Sequence, residues 1–142
     1  MLRTLFTFSI IVMMFLSAMA QDTKLDSVII DSATVCAEHW LQLIDEEKYG
    51  ESWEETSTLF KGQVTKDQWV ATISSLKSSF GKTISRKLFE THYRTTLPGA
   101  PDGEYVVILF KTKFENKDNA IETITPMKNK DDSWHVSGYF IK

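Results

Sequence analysis

The sequence predicts an α+β fold, with N-terminal helices packed on a curved four-stranded antiparallel sheet. Three observations carry this. Apolar residues recur at spacings of three and four from Leu25 to Phe80. After Gly81 the period falls to two, with strand-length runs separated by turn residues. The two regimes do not interleave, which argues against parallel β-α-β units and for helices laid on one face of a meander.

The first helix is expected from Leu25 to about Lys48, with Ile29, Ala33, Cys36, Trp40, Leu43 and Ile44 on its apolar side. Tyr49-Gly50 is expected to break it. A short second helix over Glu51–Ser57 would place Trp53 inward, and Leu59-Phe60 follows as a brief apolar anchor. Thr65-Lys66-Asp67-Gln68 has the capping-box pattern, a hydroxyl residue followed three positions later by Gln. The helix it opens presents Trp69, Ile73, Leu76 and Phe80 to the core and ends at Gly81.

Ile84–Thr95 alternates as a strand, with Phe89 and Tyr93 on one side and Arg86, Glu90 and His92 on the other. Leu97–Gly103 is a Pro/Gly-rich turn. Tyr105–Phe114 contains five consecutive apolar residues, Val106 to Phe110, and is expected to be a central strand. A turn at Asn116–Asn119 leads to a third strand, Ile121–Met127, where Pro126 suggests an edge or an end. After a turn at Lys128–Asp132, Ser133–Ile141 forms the last strand.

Ahead of these elements, residues 1–20 read as a secretory signal. Arg3 supplies the positive start, Leu5–Leu16 the apolar stretch, and Ala18-Met19-Ala20 the small-residue cleavage pattern. The organisation is therefore a signal at 1–20 and a single α+β domain at 21–142. Arg3 is the one charged residue of the first twenty, so their removal takes the formal charge from −3 to −4. A mildly acidic domain does not attract phosphate backbones, and no nucleic-acid partner is expected. The remaining chain offers no membrane span. Cys36 is the single cysteine, so no intrachain disulfide forms and the thiol is expected to be buried.

Chemistry-bearing motifs are sparse. No phosphate-cradling glycine loop and no nucleophile elbow occurs, and His39, His92 and His135 lack metal-ligand spacing. Neither a cofactor nor a metal is expected. If the face that carries Arg86, Glu90 and His92 lines a pocket, the three could act as an acid–base pair beside an anion-binding guanidinium. Glu122, on the strand after the central one, could pair with Arg86 or a cross-strand Lys, or face a ligand. Asp45 is expected to hydrogen-bond to Tyr49 or a Trp indole. Trp40 and Tyr93 stand among aromatics that build a core or line a ligand cavity.

The stretch Leu97-Pro-Gly-Ala-Pro-Asp-Gly-Glu-Tyr105 with its apolar strand resembles the domain of unknown function 4019 family of bacterial exported proteins. Phe114-Glu-Asn-Lys117, Glu122-Thr-Ile-Thr125, Trp134 and Gly138-Tyr-Phe-Ile141 continue the resemblance. Trp40 with Asp45, Trp53, Trp69, and Gly81 before Arg86 complete it, over about residues 33–141. It implies a cone-shaped fold of the kind shared by nuclear-transport-factor-2-like and cystatin-like proteins, a periplasmic or extracellular location, and no assigned activity. Three functional readings follow. One is a non-catalytic module that binds a small apolar or amphipathic ligand or another envelope protein. Another is a small hydrolase or isomerase using Glu90 or His92 with Arg86. The third is a homodimer formed through the exposed sheet face.

Overall fold

In a computed structural model the backbone of residues 2–142 and the side chains of residues 24–142 are described. The export signal expected at 1–20 lies outside the residues whose side chains are described. Four helices, α1 (Leu2–Asp45), α2 (Tyr49–Glu54), α3 (Thr58–Gln63) and α4 (Lys66–Phe80), precede four strands. These are β1 (Thr83–Arg94), β2 (Tyr105–Phe114), β3 (Lys117–Lys128) and β4 (Trp134–Ile141). They form one antiparallel sheet in the order β1-β2-β3-β4. The α+β class and the helices-then-meander order are those the periodicity predicts.

α1 buries Ala33, Ala37, Trp40, Leu41 and Ile44, while Ile29 and Cys36 are half-buried at the margin. Its end differs from the expectation. Glu47 takes a left-handed conformation, φ 60°, and the Lys48 and Glu47 amides bond back to the Leu43 and Ile44 carbonyls. This is the helix-ending loop usually built on glycine. Tyr49-Gly50 does not break α1 but opens α2. Leu59-Phe60 lies within α3, which Ser57 caps by accepting the Phe60 amide. The helix is too short for periodicity to reveal.

The capping box at Thr65 is complete, with both reciprocal bonds formed to Gln68. Gly81 ends α4 at φ 75°. A Cβ on Gly81 would stand 2.7 Å from Glu115 Oε2 and 2.8 Å from Glu115 Cβ. That carboxylate accepts the Lys82 amide at 2.7 Å and ties the α4–β1 corner to the β2–β3 turn. Gly81→Ala is expected to cost about 1–3 kcal/mol from positive φ and crowding together. A fall in thermal midpoint checks it, and an unchanged midpoint would show that the corner relaxes freely.

β2 is internal, as expected, and sends Val106, Ile108, Phe110 and Phe114 inward. β3 is internal too, so Pro126 does not mark an edge. It sits near the strand's end, where the β3–β4 register slips between Thr125 and Pro126 and the missing N–H is tolerated. The turn expected at Asn116–Asn119 is tighter, since β3 already begins at Lys117. The largest departure lies in β1. Its register with β2 slips between Leu88, opposite Phe110, and Glu90, opposite Leu109. A bulge of this kind reverses which face later residues occupy. Arg86, opposite Thr112, and Tyr93, opposite Val106, therefore point to the helices, whereas Glu90 and His92 point away. Uninterrupted alternation would put Arg86, Glu90 and His92 together; the bulge separates them.

The core joins α1, α3 and α4 to the inner sheet face through Trp40, Phe60, Trp69, Ile73, Ile108, Ile124 and Val136. Trp40 lies 5.2 Å from Tyr139 and 5.6 Å from Trp69, ring centre to ring centre. Both indoles donate to Ser52, Trp40 to its carbonyl at 2.8 Å and Trp69 to its hydroxyl at 2.9 Å. Ser52 thus anchors α2 beneath the aromatic cluster.

Candidate functional site

On the two central strands the sheet's inner face is apolar except at one place. On β2 the inward positions run Val106, Ile108, Phe110, Thr112, Phe114; on β3 they include Ala120, Glu122 and Ile124. Thr112 and Glu122 thus occupy core positions. Glu122 is fully buried. Its Oε2 accepts Arg86 Nε at 2.6 Å and Thr112 Oγ1 at 2.5 Å. Its Oε1 accepts Tyr139 OH at 2.6 Å and Arg86 Nη2 at 3.2 Å. A carboxylate offers about four acceptor positions, and four donors fill them.

Arg86 bridges outward. Its Nη1 and Nη2 donate to Asp45 Oδ2 and Oδ1 at 2.7 and 3.1 Å, a bidentate grip on the last residue of α1. Asp45 also accepts Thr83 Oγ1 at 2.8 Å and faces Lys77 Nζ at 3.7 Å. Lys77 donates to Thr83 Oγ1 at 3.2 Å and lies 4.8 Å from the Phe114 ring centre. Two acids therefore face two bases. The expected pairing of Glu122 with Arg86 is present, while Asp45 pairs with Arg86 rather than with Tyr49 or an indole. No buried side-chain nitrogen or oxygen among the described residues lacks a hydrogen-bond partner.

Electrostatics follow this geometry. Burial pushes the Asp45 carboxyl up, but hydrogen bonds and charge from Arg86, with help from Thr83 and Lys77, hold it below the usual range. Burial acts against the Arg86 charge, and its two carboxylates outweigh that and raise its pKa. Desolvation, then the Glu122 charge and hydrogen bond, raise the Tyr139 phenol well above its ordinary value. The signs define a window. Asp45 is depressed in the folded state, so its contribution is present above the unfolded value of about 4 and lost as pH falls. Tyr139 is raised, so its contribution is present below about pH 10 and lost as pH climbs. Urea midpoints are expected to fall at both ends, and Tyr139→Phe is expected to flatten the alkaline limb. An alkaline limb unchanged by that variant would refute the assignment.

The other candidates lie apart. Glu90 and His92 pair at 3.1 Å on the outer sheet face, both side chains more than 40 % exposed. Arg86, half-buried, is on the other side of the sheet. Trp40 is in the core. Tyr93 is half-buried and donates to Glu104 Oε1 at 3.3 Å. His135 bonds to Glu55 and Ser133, and no cluster of three or more metal-ligating side chains occurs among the described residues. A groove of about 370 Å³ runs beside Cys36, Val35 and Trp134, and a polar cleft of about 420 Å³ opens over Asp45 and Lys77.

The Cys36 thiol donates to the Trp134 carbonyl at 3.2 Å, and burial, with the Glu55 charge, pushes its pKa from 9.0 up to about 11. Its thiolate population at pH 8 is about 100-fold below that of an unperturbed thiol. Alkylation by iodoacetamide is expected to be slower by a similar factor. A rate equal to free cysteine would show that the groove opens.

Sequence reading left out Lys77, Thr112, Thr83 and Tyr139. A signal exists for Thr112 and Glu122, since each falls on the period-two apolar line of its strand. None marks Lys77, whose role depends on where α4 crosses β1.

Comparison with curated proteins and with solved structures gives no match. A family model described as "Protein of unknown function (DUF4019)" matches residues 36–139. That span takes in Asp45, Arg86, Glu122 and Tyr139, and the chain belongs to this family.

Proposed function

We propose that this is an exported, non-catalytic module that binds a protein partner through the open outer face of its sheet. The observation carrying this is how the inner face is filled. Where helices meet sheet, the Trp40–Trp69–Tyr139 cluster and the saturated Glu122–Arg86–Asp45 network occupy the space. Neither leaves an unfilled acceptor aimed at a substrate. The outer face differs. Phe140 is 59 % exposed and Phe89 45 %, and the register row Glu90–Leu109–Thr123–Phe140 crosses all four strands on this face, exposed at its two ends and half-buried at Leu109 and Thr123. Large apolar side chains exposed on an open sheet face, here Phe89 on β1 and Phe140 on β4, favour association.

Site-specific photocrosslinking in the native cell tests the reading. A photoreactive residue at Phe140 or Phe89 is expected to yield a protein adduct, and one at Ser78 on α4 none. Adducts from Ser78 alone, or from no position, would overturn it. An adduct of twice the chain's mass would identify the partner as a second copy. N-terminal sequencing beginning at Gln21 supports export, and a retained Met1 refutes it.

A further inference from the structure

The outer face carries a like-charge arrangement that costs the fold at one cross-strand pair. Lys87 on β1 stands directly opposite Lys111 on β2, and Ser85 opposite Lys113. Like charges facing one another across an antiparallel pair are destabilising. Among the described residues neither Lys87 nor Lys111 makes an ion pair, whereas Lys113 meets Asp118 at 3.2 Å. Lys111 Nζ lies 3.8 Å from the centre of the exposed Phe89 ring. The three lysines line one open groove of about 410 Å³ with Ile121 and a single acid, Asp118. This basic groove occurs on a chain whose formal charge is −3.

We infer that the groove of Lys87, Lys111 and Lys113 docks an acidic segment of the partner protein in extended conformation, with carboxylates at alternate positions. The inference rests on the outer face being the partner surface. Two considerations select this occupant. Lys111 and Lys113 are two residues apart on one strand face, about 6.8 Å. Alternate side chains of an extended segment have the same spacing, so one carboxylate meets Lys111 while the next takes the place of Asp118 at Lys113. A flat anionic bilayer fits less well. Three lysines fall short of the clusters that hold a protein on anionic lipid, and Glu90 and Asp118 on the same side would be pressed against the headgroups. Phe89 and Ile121 supply apolar contact for the residues flanking the carboxylates.

The test uses the purified protein and a fluorescein-labelled peptide of alternating Glu and Thr, followed by anisotropy. Binding is expected at low salt and should weaken as salt rises. Lys87→Glu is expected to weaken it about tenfold. The same variant turns the Lys87–Lys111 repulsion into a cross-strand attraction and is expected to raise Tm by about 1–4 °C. Loss of binding with a gain in stability cannot arise from misfolding. Lys130→Glu, in the β3–β4 turn, changes net charge equally and is expected to leave binding unchanged. Absence of peptide binding, or equal weakening by Lys130→Glu, overturns the inference. So does capture by phosphatidylglycerol vesicles through the same lysines without peptide binding. If the peptide fails while Phe140 still crosslinks to a partner, the acidic chemistry falls and the face assignment stands.

Discussion

Replacing Arg86 with alanine is expected to destabilise the protein by about 3–5 kcal/mol, a large share of the stability of a domain this size. The reason is what remains. Glu122, fully buried, would keep only the Thr112 and Tyr139 hydroxyls as donors, and the Asp45 carboxylate would lose its bidentate partner. An uncompensated buried charge costs far more than the net worth of the pair it left. The companion variant makes the test specific. Removing both charges in Arg86→Met with Glu122→Leu is expected to cost less than the two single changes added together, with a coupling of about 1–3 kcal/mol. Urea denaturation of the four proteins completes the cycle. Strict additivity would show that the two side chains do not act as a pair.

Trp40→Ala is the second large effect, about 3–5 kcal/mol. Trp40 is 1 % exposed, packs tilted against Trp69 and edge-on against Tyr139, and its indole N–H is the donor to the Ser52 carbonyl. The truncation opens a cavity at the junction of α1, α4 and β4. It also strands a buried carbonyl. Trp40→Phe is the milder change, because it keeps an aromatic ring while removing the donor and part of the indole volume. About 1–3 kcal/mol is expected for that variant. If both variants cost under about 1 kcal/mol, the aromatic cluster is not the keystone of the helix–sheet contact.

These two residues differ in how far sequence alone reveals them. Trp40 is legible because it falls on the three-and-four apolar line of α1, and burial of that line follows wherever the helix packs. The helix begun by Thr65 and ended by Gly81 is equally legible, since the cap bonds are local and need no tertiary contact. The pairing of Glu122 with Arg86 is legible in outline, as a carboxylate and a guanidinium on neighbouring parts of one sheet. Three features are not. The Glu47 turn at the end of α1 uses a residue with no propensity signal for positive φ. α3 is shorter than two turns and shows no period. The β1 bulge is a mismatch between two strands, and inspection of β1 cannot reveal it.

The bulge decides the functional reading. By itself the sequence determined the class, the order of elements and the apolar lines, because periodicity and capping are encoded within a few residues of one another. Only the tertiary structure decided which polar residues meet. Register is a relation between strands far apart in the chain, and one extra residue in β1 turns Glu90 and His92 to solvent while Arg86, ahead of it, stays inward at Asp45 and Glu122. The same register sets Lys87 opposite Lys111, a juxtaposition written in no single segment.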